Sequence, residues 1–234
     1  MKIGIIGAID QEINLLKYKI NNCQLQEIYC LKFYTGTLNN VDIILLQSGI
    51  GKVAAAIATS VLLDRFKPST IINIGSAGSF DSSLDLGDIV MATEVAYHDV
   101  DVTAFDYIIG QMAGQPATFT SDERLMEVAE KALTSMVPIP HAVRGMICTG
   151  DSFVHTDKHK NYIRKHFQNV IAVEMEAAAV AQTCHQFRVP FVVIRAISDL
   201  ADKKSPTTFK TFLPLAAKNS STLIEKMIYL LDSG

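Results

Sequence analysis

Phe191-Val-Val-Ile-Arg-Ala-Ile-Ser-Asp199 is an almost unbroken apolar run that ends in a carboxylic acid. Four of its residues are β-branched, and such a run reads as a central strand buried on both faces. In open α/β sheets ligands bind beyond the carboxyl ends of the strands, so Ser198 and Asp199 lie where chemistry is expected. An Asp beside so apolar a strand has its charged form disfavoured, which suits it to hold a proton near neutral pH. Taken alone, an Asp here is also an ordinary cap for the next helix. Its reading depends on what else converges there.

Working outward, further strands are expected at 2–7, 41–48, 70–75, 87–97, 142–149 and 170–173, with a hairpin arm at 25–38. Helices alternate with them. Residues 51–66 are rich in helix formers, and in 122–136 Leu125, Val128, Ala132, Leu133 and Met136 form one apolar face. A third helix starts near Glu174, and a C-terminal one covers 206–231, where Pro214 is expected to kink or split it. This alternation predicts an α/β fold, a single domain over 1–234 with a central mixed, mostly parallel β-sheet flanked by helices.

The bulk properties agree. A chain of 234 residues with 49% apolar and 19% charged residues has material for one core and carries no disordered tail. A formal charge of −3 without blocks of like charge speaks against nucleic acid or an anionic membrane as partner. No apolar run approaches membrane-spanning length, and the first strand is not preceded by a secretory pattern, so a cytoplasmic location is expected. Cys23, Cys30, Cys148 and Cys184 show no zinc spacing and are expected as free thiols. His155-x3-His159 would present two ligands on one helical face, but no third ligand is evident nearby.

Several segments then point at the same strand ends. Gly49-Ile-Gly51-Lys-Val-Ala54 follows a strand and opens a helix, in partial match to a dinucleotide fingerprint. The next strand lacks the acidic residue that takes the ribose hydroxyls, so a tight turn lining a pocket is the better reading. Gly75-Ser-Ala-Gly78 reads either as a plain loop or as a place where backbone N–H groups approach a ligand. Glu12, in the first turn of the helix after the first strand, matches ordinary helix-dipole complementarity. Beside Asp199 it gains a second meaning, because two carboxylates facing one crevice are the minimum for acid/base cleavage of a glycosidic bond. Glu174 and Glu176 sit at a strand-to-helix switch. Two residues apart, they cannot share a helical face, so at most one is expected to enter the crevice.

In order and spacing these segments resemble the nucleoside phosphorylase/hydrolase superfamily, and within it the 5′-methylthioadenosine/S-adenosylhomocysteine nucleosidase family. The resemblance runs from Gly4-Ile-Ile-Gly-Ala8 with Glu12 through Ser48-Gly-Ile-Gly-Lys-Val-Ala-Ala and Gly75-Ser-Ala-Gly78. It continues with Tyr97-His-Asp, Asp101-Val-Thr-Ala-Phe105, Thr149-Gly-Asp-Ser-Phe153, Ala172-Val-Glu-Met-Glu-Ala and Val189 to Asp199. It implies hydrolysis of methylthioadenosine, S-adenosylhomocysteine and 5′-deoxyadenosine to adenine and the 5′-substituted ribose, without metal or organic cofactor. Glu12 would activate the water and Asp199 would protonate adenine N7. Glu176 would hold the ribose hydroxyls, with Met175 beneath the sugar and Gly78 lining its site. Phe153 would stack on adenine and the Val154 backbone bind its edge, while Ser76 and Arg195 place the water and Ser198 adjoins the acid. Ile9, Ile50 and Phe209 would wall an apolar 5′-thioalkyl pocket completed by Phe105 of a second subunit, making a homodimer part of the site.

Ile9 stands where Met is common in the family, Ser79-Phe80 where Gly-Leu is common, and Ala113 where Pro is common. These departures touch the 5′ subsite and its rim. Three other readings stand beside this one. A phosphorylase would need a cluster of Arg or Lys for the phosphate dianion, and none surrounds Glu12. A nucleosidase for larger substrates, such as aminodeoxyfutalosine, would use the same fold. A non-catalytic nucleoside-binding module would not need both Glu12 and Asp199.

Overall fold

The computed structural model describes residues 1–202 and 204–232. In chain order it comprises β1 (Lys2–Gly7), α1 (Asp10–Lys17), β2 (Asn21–Ile28), β3 (Leu31–Leu38), β4 (Val41–Gln47), α2 (Lys52–Phe66), β5 (Thr70–Ser79) and β6 (Ile89–Tyr97). A 3₁₀ turn at Thr103–Phe105 follows, then β7 (Phe119–Thr120), α3 (Glu123–Leu133), β8 (Ala142–Thr149), α4 (Asp157–His166), β9 (Val170–Glu174), α5 (Ala177–Phe187), β10 (Phe191–Asp199) and α6 (Ser205–Asp232).

Parallel ladders join β4, β1, β5 and β10, and a second parallel set joins β6, β8 and β9. Antiparallel pairs link the two sets, β10 to β6 and β5 to β9. The strands β5, β10, β6, β8 and β9 therefore close into a ring, from which β1, β4 and the β3–β2 arm extend. Local pattern predicts the strands but not this closure.

Burial follows the pleat. On β10, Val192, Ile194 and Ala196 face α1, α3 and α6 together with Ile5, Ile72 and Met227. The alternate residues Phe191, Val193 and Ile197 face α2 and α5 with Leu62, Ile71 and Val180. Alternation of side chains puts adjacent residues into opposite cores, which is why the strand is apolar almost throughout. Each fully buried aliphatic side chain contributes roughly 1.5–3 kcal/mol, so β10 anchors both layers.

Two helices differ from expectation. The C-terminal helix is not split at Pro214; that residue lies on the exposed side, while buried Leu213, Ala216 and Ala217 hold the helix against the body. α4 is absent from the sequence reading because Ile163 is its one buried residue, leaving almost no apolar periodicity. Thr156 caps it, accepting from the His159 N–H at 3.3 Å. His155 precedes the cap and pairs through Nδ1 with the Phe153 carbonyl at 3.0 Å, so the two histidines do not share a helical face. Among the described residues no group of three His, Cys, Asp or Glu side chains is arranged to hold a metal ion, and no helix is long and apolar enough to cross a membrane.

Candidate active site

A cavity of about 290 Å³ opens where β1, β5, β9 and β10 end and α1 and α6 begin. Every candidate residue from the sequence lines it except Arg195 and Phe105.

Glu12 stands at one end. The first turn of α1 buries its side chain, and Oε2 accepts from the Ala8 and Ile9 N–H groups at 2.9 and 3.3 Å. Oε1 accepts from the N–H and the hydroxyl of Ser76, each at 2.9 Å. Four donors around one carboxylate suit an ionised, acceptor-only group. Gly75 makes this approach possible, since a Cβ there would stand 3.0 Å from Glu12 Oε1.

Asp199 stands at the other end, after a bulge between Ile197 and Asp199 on β10. Its Oδ1 accepts from the Ala201 N–H at 2.9 Å, and Oδ2 accepts from the Ser198 hydroxyl at 3.1 Å. Burial holds its carboxyl above the ordinary value, and hydrogen bonds from Ser205, Ala201 and Ser198 only partly offset this. A Cβ on Gly78 would come within 2.9 Å of Asp199 Oδ1. The two glycines of the Gly75–Gly78 segment thus make room for carboxylates. The N–H group of Ser76 between them serves Glu12.

Glu174 and Glu176 both line the cavity, against the expectation that at most one would. Glu174 ends β9 and Glu176 is the N-cap of α5, so neither lies inside the helix whose geometry would set their side chains apart. The Glu174 carboxylate is fully engaged. It accepts from the Thr149 hydroxyl, from the Glu176 and Ala177 N–H groups at 2.9 and 2.8 Å, and from Arg195 Nη2 at 2.7 Å. Glu176 Oε1 accepts from the Gly51 N–H at 2.8 Å. Burial, and then the Glu174 charge, push the Glu176 carboxyl up, against the opposing effects of Gly51 and Arg195.

Arg195 lies behind the wall rather than on it. It is 1% exposed and spends its guanidinium on Glu174, the Asn73 side chain at 2.6 Å and the carbonyls of Asn73 and Ile194. A buried cation needs such a partner, so the residue that interrupts the apolar run of β10 braces Glu174. No hydrogen bond joins it to Glu12 or Ser76.

The remaining wall is largely apolar. Phe153 and Phe209 meet edge to face with centroids 6.0 Å apart, beside buried Val154. Ile9, Ile50 and Met175 complete the lining, with Ile50 61% exposed at the rim. Phe105 is 73% exposed on the 3₁₀ turn. The sequence reading gave no role to Ala8, Ala77, Ser152, Val173, Pro206 and Lys210, which also line the cavity. Of these only Lys210 bears a charge, and no local pattern distinguishes it from any helical lysine.

A model of the phosphorylase superfamily matches residues 2–229. A 5′-methylthioadenosine/S-adenosylhomocysteine nucleosidase of Psychromonas ingrahamii is 52% identical over 97% of this chain and 98% of that one. The crystal structure of the corresponding nucleosidase from Neisseria meningitidis, in complex with methylthio-immucillin-A, superposes with a TM-score of 0.96 at 44% identity, covering 98% and 99% of the two chains. A futalosine hydrolase of Helicobacter pylori superposes with a TM-score of 0.92 at 31% identity, covering 100% and 98%. With this site and this likeness along its length, the chain belongs to the phosphorylase superfamily and, within it, to the 5′-methylthioadenosine/S-adenosylhomocysteine nucleosidase family.

Proposed function

We propose that the chain hydrolyses the N-glycosidic bond of 5′-methylthioadenosine and S-adenosylhomocysteine, and of 5′-deoxyadenosine, releasing adenine and the 5′-substituted ribose. The observation that carries this reading is a single cavity with a donor-rich carboxylate at one end and a desolvated one at the other. Breaking the C1′–N9 bond develops positive charge on ribose and negative charge on adenine. Asp199 delivers its proton to N7 and neutralises the leaving base. Glu12, with the Ser76 hydroxyl beside it, takes a proton from the water whose oxygen bonds to C1′. Glu176 holds the ribose hydroxyls, Met175 and Gly78 bound the sugar, and Phe153 stacks on the base beside the Val154 backbone. Arg195 acts through Glu174, which fixes the start of α5 and so the Glu176 backbone.

The 5′ substituent fits the apolar wall of Ile9, Ile50 and Phe209. A methylthio group gains transfer energy there, whereas a 5′-hydroxyl loses its water without an evident partner. The exposed Phe105, with Ile50 exposed at the cavity rim, supports a homodimer in which Phe105 of one subunit closes the pocket of the other. Four unpaired cysteines support a cytoplasmic setting. The higher identity to the methylthioadenosine nucleosidases than to the futalosine hydrolase favours thioalkyl substrates over bulkier ones.

The test is adenine release from methylthioadenosine, 5′-deoxyadenosine and adenosine, with and without phosphate. Equal rates in both buffers and no ribose 1-phosphate are expected, with adenosine the poorest substrate. A phosphate-dependent rate would instead indicate a phosphorylase.

A further inference from the structure

The Tyr97-His98-Asp99 and Gly150-Asp151 segments have no part in the reaction as drawn above, yet they meet in one cluster. The segments that follow β4, β6 and β8 meet although β4 lies apart from the other two in the sheet, and Lys52, Asp99 and Asp151 tie them together. Lys52 Nζ donates to Asp99 Oδ2 at 2.7 Å, and the same oxygen accepts from the Asp151 N–H at 2.9 Å. Asp151 Oδ1 in turn accepts from the Lys52 N–H at 2.7 Å, and its Oδ2 lies 3.8 Å from Lys52 Nζ. Each loop is therefore bonded to the other two or to the ammonium between them.

The packing is as close as the chemistry. A Cβ on Gly51, whose φ is +92°, would stand 2.9 Å from Asp151 Oδ1. A Cβ on Gly150 would fall 2.2 Å from the His98 ring. Lys52 and Asp99 side chains are 23% and 27% exposed, and the ammonium also lies 5.4 Å from the Tyr97 ring centre. Burial alone would raise the Asp99 carboxyl, but Lys52 and the Asp151 N–H outweigh it and hold it below the usual range. A part-buried, multiply bonded cluster of this kind is worth more than an isolated surface pair.

What the cluster carries is the site. The Gly51 N–H, one residue before Lys52, is the donor to Glu176. Ser152, Phe153 and Val154, directly after Asp151, line the cavity. We propose that Asp99 and Asp151 are positioning residues which, bridged by Lys52, clamp three strand-end loops so that the Gly51 N–H and Phe153 are set for the nucleoside. This rests on the reading of Glu176 and Phe153 as ribose and base contacts.

The experiment compares Asp99→Ala, Lys52→Met, their double variant, Asp151→Ala and Asp151→Asn for methylthioadenosine turnover and thermal unfolding. Asp99→Ala and Asp151→Ala should each raise KM on the order of tenfold, with kcat within about twofold and the variants folded at assay temperature. Asp151→Asn should recover most of the loss, because its amide oxygen still accepts from the Lys52 N–H. The double variant should be no worse than its worse parent, as expected for one shared clamp. Unmoved KM values overturn the proposal, as do additive effects in the double variant, failure of Asp151→Asn to rescue, or a KM rise explained by unfolding. Glu176→Gln and Phe153→Ala are measured alongside. If these two leave KM unchanged, the contact assignment fails, a result separate from the fate of the clamp.

Discussion

The two ends of the cavity hold carboxylates of nearly equal burial, 4% exposed for Glu12 and 2% for Asp199, in surroundings of different kind. Glu12 accepts four hydrogen bonds, three of them from backbone N–H groups. Asp199 ends an apolar strand and is held mainly in a desolvated pocket, where its neutral form is favoured. Burial alone does not tell a base from an acid. The supply of donors does, and it separates two similar groups within one cavity.

The largest expected effect comes from neutralising each end. Glu12→Gln and Asp199→Asn should each lower kcat by about 10²–10⁴, read as adenine release. They should differ in stability. In Glu12→Gln an amide NH₂ must face N–H donors that a carboxylate satisfied, at a cost of roughly 1–3 kcal/mol, so its melting temperature should fall. Asp199→Asn should melt close to the parent and still bind adenine. If both variants melt alike, the contrast in donor supply fails.

The glycines come next. Gly75→Ala and Gly78→Ala place a methyl group at 3.0 and 2.9 Å from Glu12 Oε1 and Asp199 Oδ1 respectively. Displacement of either carboxylate should cost roughly 10–100-fold in kcat/KM. Activity near that of the parent in both would show that neither carboxylate needs its present place.

Smallest are the serine hydroxyls. Ser198→Ala removes a donor that favours ionised Asp199, so the Asp199 carboxyl moves further up. Activity that needs its protonated form is lost as pH rises through that value, and the alkaline limb of kcat should therefore shift to higher pH. Ser76→Ala removes a donor to Glu12, and should lower kcat by about tenfold while leaving that limb in place. A limb that moves with Ser76 instead of Ser198 would reverse the two roles.

Much of this was legible in the chain. Runs such as Lys2–Gly7, Ala142–Thr149 and Phe191–Asp199 announce strands because β-branched residues cluster between breakers. Glu12 and Asp199 are legible because each follows a strand that local pattern locates. Arg195 is not, because a cation in an apolar run says only that a partner exists, and Glu174 is distant in sequence. That Glu174 and Glu176 both reach the cavity turns on where β9 gives way to α5, a boundary that local pattern does not resolve. The role of Gly75 and Gly78 requires knowing what stands opposite them. α4 shows how a helix with one buried residue escapes a reading based on apolar periodicity.

The closed ring has a consequence for how the chain is made. β5 and β6 belong to the first half of the sequence, yet the place between them is filled by β10, residues 191–199. Until that segment leaves the ribosome, one edge of each strand lacks its partner, and unpaired edges invite association with other chains. The inserting strand also brings Asp199. Closure of the ring and arrival of the acid are thus a single event late in synthesis, and a chain ending before residue 191 would present open edges together with an incomplete catalytic pair.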